Sequence, residues 1–252
     1  MTGLTLGETT LTRIGLGTNR LSNTPANVQF VREAVAAGVN MIDTAHIYTG
    51  GESEATLGDA LVAGATGRLV ATKGGYSAAE AEPDALRAQI AESLRRLRSE
   101  RIELYYLHRI HPEVPLERSL AILAEHRDAG RIGHVGISEA SVEQIERARA
   151  IVPIAAVQNH YNLTERRHEE VVDYCAAAGI IFVPSSHCAV AALRSSMRSR
   201  LATGRPRARS SSRGCCGARQ RRCRSRGPCR SHICARTWDH SESSSPMPSS
   251  RL

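Results

Sequence analysis

The chain has 252 residues, 33 basic against 25 acidic side chains, a formal net charge of +8 and 41% hydrophobic residues. That length suits one large α/β barrel or two small domains. No run of about 18 apolar residues suggests a membrane span, and the opening MTGLTLGETTLTRIGLG lacks the basic-then-apolar order of a secretory leader, so a cytoplasmic location is the default expectation.

The charge is unevenly placed. Residues 185–252 hold 15 arginines against only Asp239 and Glu242, a net of +13, whereas residues 1–184 hold 18 basic and 23 acidic side chains, a net of −5. Five of the seven cysteines, Cys215, Cys216, Cys223, Cys229 and Cys234, also fall in the last part. The basic balance thus describes a tail, not the body of the chain.

In chain order, apolar or β-branched runs begin at residues 13 (RIGLG), 40 (NMID), 68 (RLVATK), 102 (IELYYLH), 132 (IGHVGIS), 154 (IAAVQ) and 180 (IIFVP). Amphipathic helical patterns lie between them. In ALRAQIAESLRRL, Leu86, Ile90, Leu94 and Leu97 share one face. SVEQIERARAI opens with Ser141 and has Gln144 three residues on, the spacing of a capping box. Glycines in AAGVN, DAGRIG and AAAGI read as C-caps before the next strand. Apolar strands alternating with helices predict parallel pairing through right-handed crossovers. Seven such units exceed most open doubly wound sheets and fall one short of a (β/α)8 barrel. GLGTNR has only the first two glycines of a dinucleotide fingerprint, so the barrel is the expected fold.

Catalytic groups of such barrels sit at the C-terminal ends of strands. Asp43 ends strand two, Tyr48 follows in its loop, Lys73 ends strand three and His108 ends strand four. Each has a plain alternative: a turn or cap aspartate, a packing tyrosine, a structural histidine, an accidental lysine. Lys73 is nevertheless the single lysine beside 32 arginines, and the four residues on neighbouring strands converge on one pocket.

NMIDTAHIYTGGESEATLG, with Asp43, Tyr48, Ser53, Glu54 and Gly58, resembles the first signature of the aldo-keto reductase family. LVATKGG resembles its lysine strand, IELYYLHRIHPEVP its histidine strand, and GRIGHVGISEAS and AAVQNHYN its fifth and sixth strands. The resemblance covers residues 5 to about 184. IGLGTNRL, together with a Pro-Phe-Phe-Pro-Leu segment implied near Pro184, most resembles bacterial pyridoxal-reductase-like members of that family. It implies an NADPH-dependent enzyme that reduces an aldehyde or ketone. By the same resemblance Tyr48 donates the proton, Lys73 tunes it, Asp43 holds Lys73, and His108 orients the carbonyl oxygen. A free tyrosine titrates near about 10; a neighbouring ammonium favours its phenolate, and a guanidinium would spread that charge over a bulkier fork. Ser138 and Gln158 are the expected partners of the nicotinamide carboxamide, with Thr18 as a further cofactor residue. The family often has Asn after that serine, where this chain has Glu139.

Other chemistries fit less well. GLGTNRLS lacks the H-x-H of metal-dependent barrel hydrolases, GISEA lacks the second glycine of a nucleophile elbow, and His108 with His111 has no third ligand nearby. No metal site is expected.

After IIFVP the apolar periodicity stops, and Arg, Ser, Cys and Pro dominate. Residues 185–252 are expected to be disordered or to be read out of frame. A one-base shift near Pro184 turns the His187–Cys188 junction into Leu and permits Pro-Phe-Phe-Pro-Leu, which the family has at this point. A seven-stranded barrel would leave strands one and seven with open edges, and the family's adenosine-phosphate groove lies beyond strand seven. Weak NADPH binding and a tendency to aggregate are therefore expected of the chain as written. Two alternatives to an active enzyme remain: a catalytically dead barrel that binds a partner, and a basic tail that binds nucleic acid. The tail cysteines with His232 match no common zinc spacing.

Overall fold

The computed structural model describes residues 4–61 and 67–185. The tail residues singled out above, Cys215 to Cys234 and His232, lie outside the described residues, as does the junction at His187.

The chain opens with β1 (Leu4–Leu6) and β2 (Thr9–Leu11), an antiparallel pair in which Leu6 faces Thr9 across Gly7 and Glu8. Gly7 takes φ +57°, the conformation such a two-residue turn requires. This hairpin was not among the expected elements, although LTLGETTL carries its alternation. Then follow β3 (Leu16–Gly17), α1 (Pro25–Ala36), β4 (Met41–Asp43), a 3-10 turn (Tyr48–Gly51), α2 (Glu52–Ala60) and β5 (Leu69–Gly74). After these come α3 (Ala78–Ala81), α4 (Pro83–Leu97), β6 (Ile102–Leu107), α5 (Leu116–Asp128) and β7 (Ile132–Ser138). The described part closes with α6 (Val142–Arg149), β8 (Ile154–His160), α7 (Glu169–Ala178) and β9 (Ile181–Ser185).

All seven expected strands are present and form one parallel sheet in the order β3-β4-β5-β6-β7-β8-β9. The first is shorter than RIGLG suggested, only Leu16–Gly17, and β9 runs one residue past the expected boundary at Pro184. Among the described residues β3 and β9 each pair on one side only. The sheet curls on itself: a β8 side chain, Gln158, donates to Asp43 of β4 at 3.0 Å although three strands separate them in the sheet. This is the (β/α) barrel architecture expected from the alternation.

Local chemistry places the helices as predicted. Ser141 and Gln144 form the capping box of α6, and Ser77 with Glu80 forms another on α3. Gly38, Gly130 and Gly179 all have positive φ just beyond α1, α5 and α7. Leu86 and Ile90 are fully buried on α4, with Leu94 and Leu97 packed beside them.

The strands divide the core in two. Tyr105, Leu107, Val135 and Ile137 face α4, α5, α6 and α7 in an outer layer. Met41, Leu69, Ala71, Leu104, Tyr106, Ala156 and Ile181 fill the barrel interior, and Leu6 and Leu11 of the hairpin join them. Met41, Leu69 and Ile181 begin their strands, so the hairpin closes the end opposite the one at which Asp43, Gly74 and Ser138 finish theirs. Among the described residues no helix is long and apolar enough to cross a membrane.

Candidate active site

The pocket residues are set by ladders that run past the formal strand ends. Thr44 N donates to Ala71 O at 2.8 Å and His46 N to Lys73 O at 2.9 Å, continuing β4 along β5. His108 N donates to Gly74 O at 2.7 Å, continuing β6 in the same way. These bonds carry Asp43, Lys73 and His108 to one level. Tyr48 then enters on a turn in which Thr49, Gly50 and Gly51 all have positive φ, at 49°, 66° and 96°. Glycine tolerates that geometry and threonine does so at a cost.

Lys73 has no exposed surface. Its Nζ donates to Asp43 Oδ2 at 2.8 Å and to Thr44 O at 2.7 Å, and lies 3.5 Å from the Tyr48 hydroxyl. A buried ammonium needs such partners, since desolvation penalises an unpaired charge by several kcal/mol, on the order of a whole domain's margin. Asp43 is fixed in turn: Oδ1 accepts from Gln158 Nε2 at 3.0 Å, and its backbone oxygen accepts from Thr18 N at 3.0 Å and Thr18 Oγ1 at 2.9 Å. Lys73 is thus in direct contact with both Asp43 and Tyr48.

His108 stands across the same space, its ring 6.0 Å from that of Tyr48 and near perpendicular to it. Burial first, then the charges of Lys73 and Arg109, push its pKa down to about 3. It is a neutral imidazole at physiological pH, and its Nδ1 has no hydrogen-bond partner among the described residues. Tyr76, not singled out in the sequence, packs edge-on against His108 at 5.0 Å. Arg109 lies 5.8 Å over the Tyr76 ring. The signal for Tyr76 was its place three residues after Lys73, in the loop beyond β5, but periodicity gives a lone loop tyrosine no weight.

Two other tyrosines are buried nearby and provide a contrast. Burial, helped by the Glu54 charge for Tyr105 and the Asp43 charge for Tyr106, drives both phenols well above their ordinary range. Neither hydroxyl has a partner among the described residues. Of these tyrosines only Tyr48 has its hydroxyl within 3.5 Å of an ammonium.

Ser138, which ends β7, is in register with Gln158, two residues before the end of β8. Ser138 Oγ donates to the Gln158 backbone oxygen at 2.8 Å, while the Gln158 side chain donates from Nε2 to Asp43 Oδ1 at 3.0 Å. Thr18 is turned inward to Asp43 and Ser53: the Ser53 hydroxyl lies 2.7 Å from Thr18 Oγ1 and 3.0 Å from Thr18 O. Thr18 therefore supports the site from below in this structure. Glu139 follows Ser138 at φ +54°, and its carboxylate accepts from His160 N at 2.6 Å and from Arg167 at 3.2 Å and lies 3.8 Å from Arg109. Among the described residues no group of His, Cys, Asp and Glu is arranged to hold a metal ion, and His108 and His111 form no such group.

The sequence profile described as the aldo/keto reductase family matches residues 13–239. The chain is 33% identical over 195 residues to an uncharacterised oxidoreductase of Schizosaccharomyces pombe, covering 71% of this chain and 63% of that protein. It is 34% identical over 175 residues to the aldo-keto reductase YhdN of Bacillus subtilis, covering 64% of this chain and 53% of that one. The chain therefore spans less than two thirds of the length of either relative. A similar solved structure is an aldo-keto reductase from Klebsiella pneumoniae in complex with NADPH, with TM-score 0.63 and 25% identity, covering 72% of this chain and 66% of that one.

Proposed function

Because this chain belongs to the aldo/keto reductase family, we propose that it reduces an aldehyde or ketone to the alcohol with NADPH, Tyr48 giving the proton. The observation that carries this reading is the Tyr48 hydroxyl 3.5 Å from a fully buried ammonium that Asp43 and the Thr44 carbonyl hold in place.

NADPH, when bound, supplies the hydride to the carbonyl carbon. The protein's part is orientation and protons. A substrate oxygen between Tyr48 and His108 receives hydrogen bonds from both, and the neutral His108 adds polarisation without competing for the proton. The carbonyl carbon gains a C–H bond from the hydride, the C=O π pair goes to the oxygen and forms the new O–H bond with the Tyr48 proton, and the Tyr48 O–H bond breaks to leave a phenolate. The Lys73 ammonium stabilises the phenolate that remains until solvent reprotonates it. Ser138 and Gln158 fit a carboxamide: they are adjacent and buried, one with an accepting hydroxyl oxygen and the other with an amide oxygen. Their link through Asp43 would register the nicotinamide against Lys73.

The test is NADPH consumption by the whole chain with a panel of aldehydes and ketones that includes pyridoxal. Tyr48→Phe is expected to lower kcat by about 10²-fold or more while NADPH binding, read by fluorescence, stays near the wild-type value. A Tyr48→Phe variant that turns over like the wild type would overturn the assignment.

A further inference from the structure

Three residues of the first signature, Ser53, Glu54 and Gly58, take no part in the chemistry above, and all three are buried on α2. Glu54 has no exposed surface. Its Oε1 accepts from Thr72 Oγ1 at 2.6 Å, and its Oε2 pairs with Arg96 Nη1 at 3.3 Å. Thr72 immediately precedes Lys73 in β5. The same Arg96 nitrogen donates to the backbone oxygen of His46 at 3.1 Å, two residues before Tyr48. Arg96 Nε is held by Glu92 Oε1 at 2.8 Å. One buried carboxylate is therefore tied in one direction to the strand of Lys73 and in the other, through one guanidinium, to the loop of Tyr48.

The close approach is built into the helices. A Cβ on Gly58 would overlap the Arg96 backbone oxygen, and one on Gly51 would overlap the Arg96 guanidinium. Both glycines thus leave the space that α4's last turn occupies. His46 lies beside the pair, and burial, the largest influence, lowers its pKa despite the Glu54 charge. Arg96 is then the cation that answers Glu54. A guanidinium can reach Glu92, Glu54 and the His46 oxygen together; a lysine ammonium cannot span them.

We propose that Arg96 is a positioning residue: with Glu54 it sets the distance between the Tyr48 hydroxyl and the Lys73 ammonium. This rests on Tyr48 being the proton donor. The test uses the full chain carrying Glu54→Gln with Arg96→Met, which removes both charges and leaves no lone buried carboxylate, and separately Arg96→Lys. In the folded double variant kcat is expected to fall by about 10²-fold, the scale of a displacement near 1 Å, with KM for NADPH unchanged. The ¹³C ring resonance of Tyr48, assigned by its loss in Tyr48→Phe, is expected to move while that of Tyr106, which the Glu54 charge does not shift, stays. General loosening of the fold would move both.

A folded double variant with wild-type kcat and an unmoved Tyr48 resonance overturns the proposal. If the wild-type chain turns over no carbonyl substrate, the reductase reading falls, and the resonance alone decides: displacement supports the positioning role and its absence refutes it. If the double variant does not fold, Arg96→Lys is judged by the same two readouts.

Discussion

Lys73 is held by shape as much as by charge. Its single nitrogen meets a carboxylate at 2.8 Å, a carbonyl at 2.7 Å and a phenol at 3.5 Å, in a space with no exposed surface. Lys73→Arg would bring five donors in a planar fork where one tetrahedral nitrogen fits. We expect kcat to fall by about 10²-fold or more and the variant to be less stable than wild type in urea; a Lys73→Arg enzyme with wild-type kcat would show that only the charge counts. Glu139 makes the complementary point. A non-glycine residue at φ +54° is strained by on the order of 1 kcal/mol, and its bonds to His160 N and Arg167 hold it there.

Helix α2 and the last turn of α4 form the element that carries the Tyr48 loop. Their approach depends on Gly58, where a methyl group would meet the Arg96 backbone. Backbone cannot rotate aside as a side chain can, so one helix must shift. Gly58→Ala should therefore cost about 1–3 kcal/mol, although alanine is the better helix former by about 1 kcal/mol. Urea unfolding measures this, and a stabilised variant would mean that α2 is free to move. The same shift would pull Tyr48 from Lys73, so kcat should drop along with stability.

At the scale of the whole molecule, the barrel folds with a neutral histidine in its mouth. The His108 pKa is about 3 in the folded chain against 6.5 as its ordinary value. Above pH 6.5 both states are uncharged there and the contribution is intact. As pH falls from 6.5 toward 3, the unfolded chain takes up a proton that the folded chain refuses, and stability is lost. Near pH 5 this amounts to about 2 kcal/mol. His108→Gln should lose less stability than wild type between about pH 7.5 and pH 5, by roughly that amount. His46, His126 and His134 are shifted down too, and their share cancels in the comparison. Equal losses in both proteins would show that His108 is protonated in the fold.

Much of this was legible without coordinates. Period-2 and period-3.6 patterns, cap glycines and the Ser141–Gln144 box all report local backbone preference, which a chain carries in its own order of residues. They located the seven parallel strands and placed Asp43, Lys73 and His108 at strand ends. The hairpin 4–11 was passed over because three-residue strands offer too little alternation to stand out. What no local pattern could reveal is distance across the barrel. Gln158 meets Asp43 from 115 positions away, and Arg96 reaches Glu54 and the His46 carbonyl from a helix whose sequence reads as an ordinary amphipathic face. Tyr76 against His108 and the bond from His160 N to Glu139 belong to the same class. Residue order and type decided which groups the chain could bring to a site. The curl of the sheet, a long-range feature governed by packing and by the need to pair every buried charge, decided which of them touch.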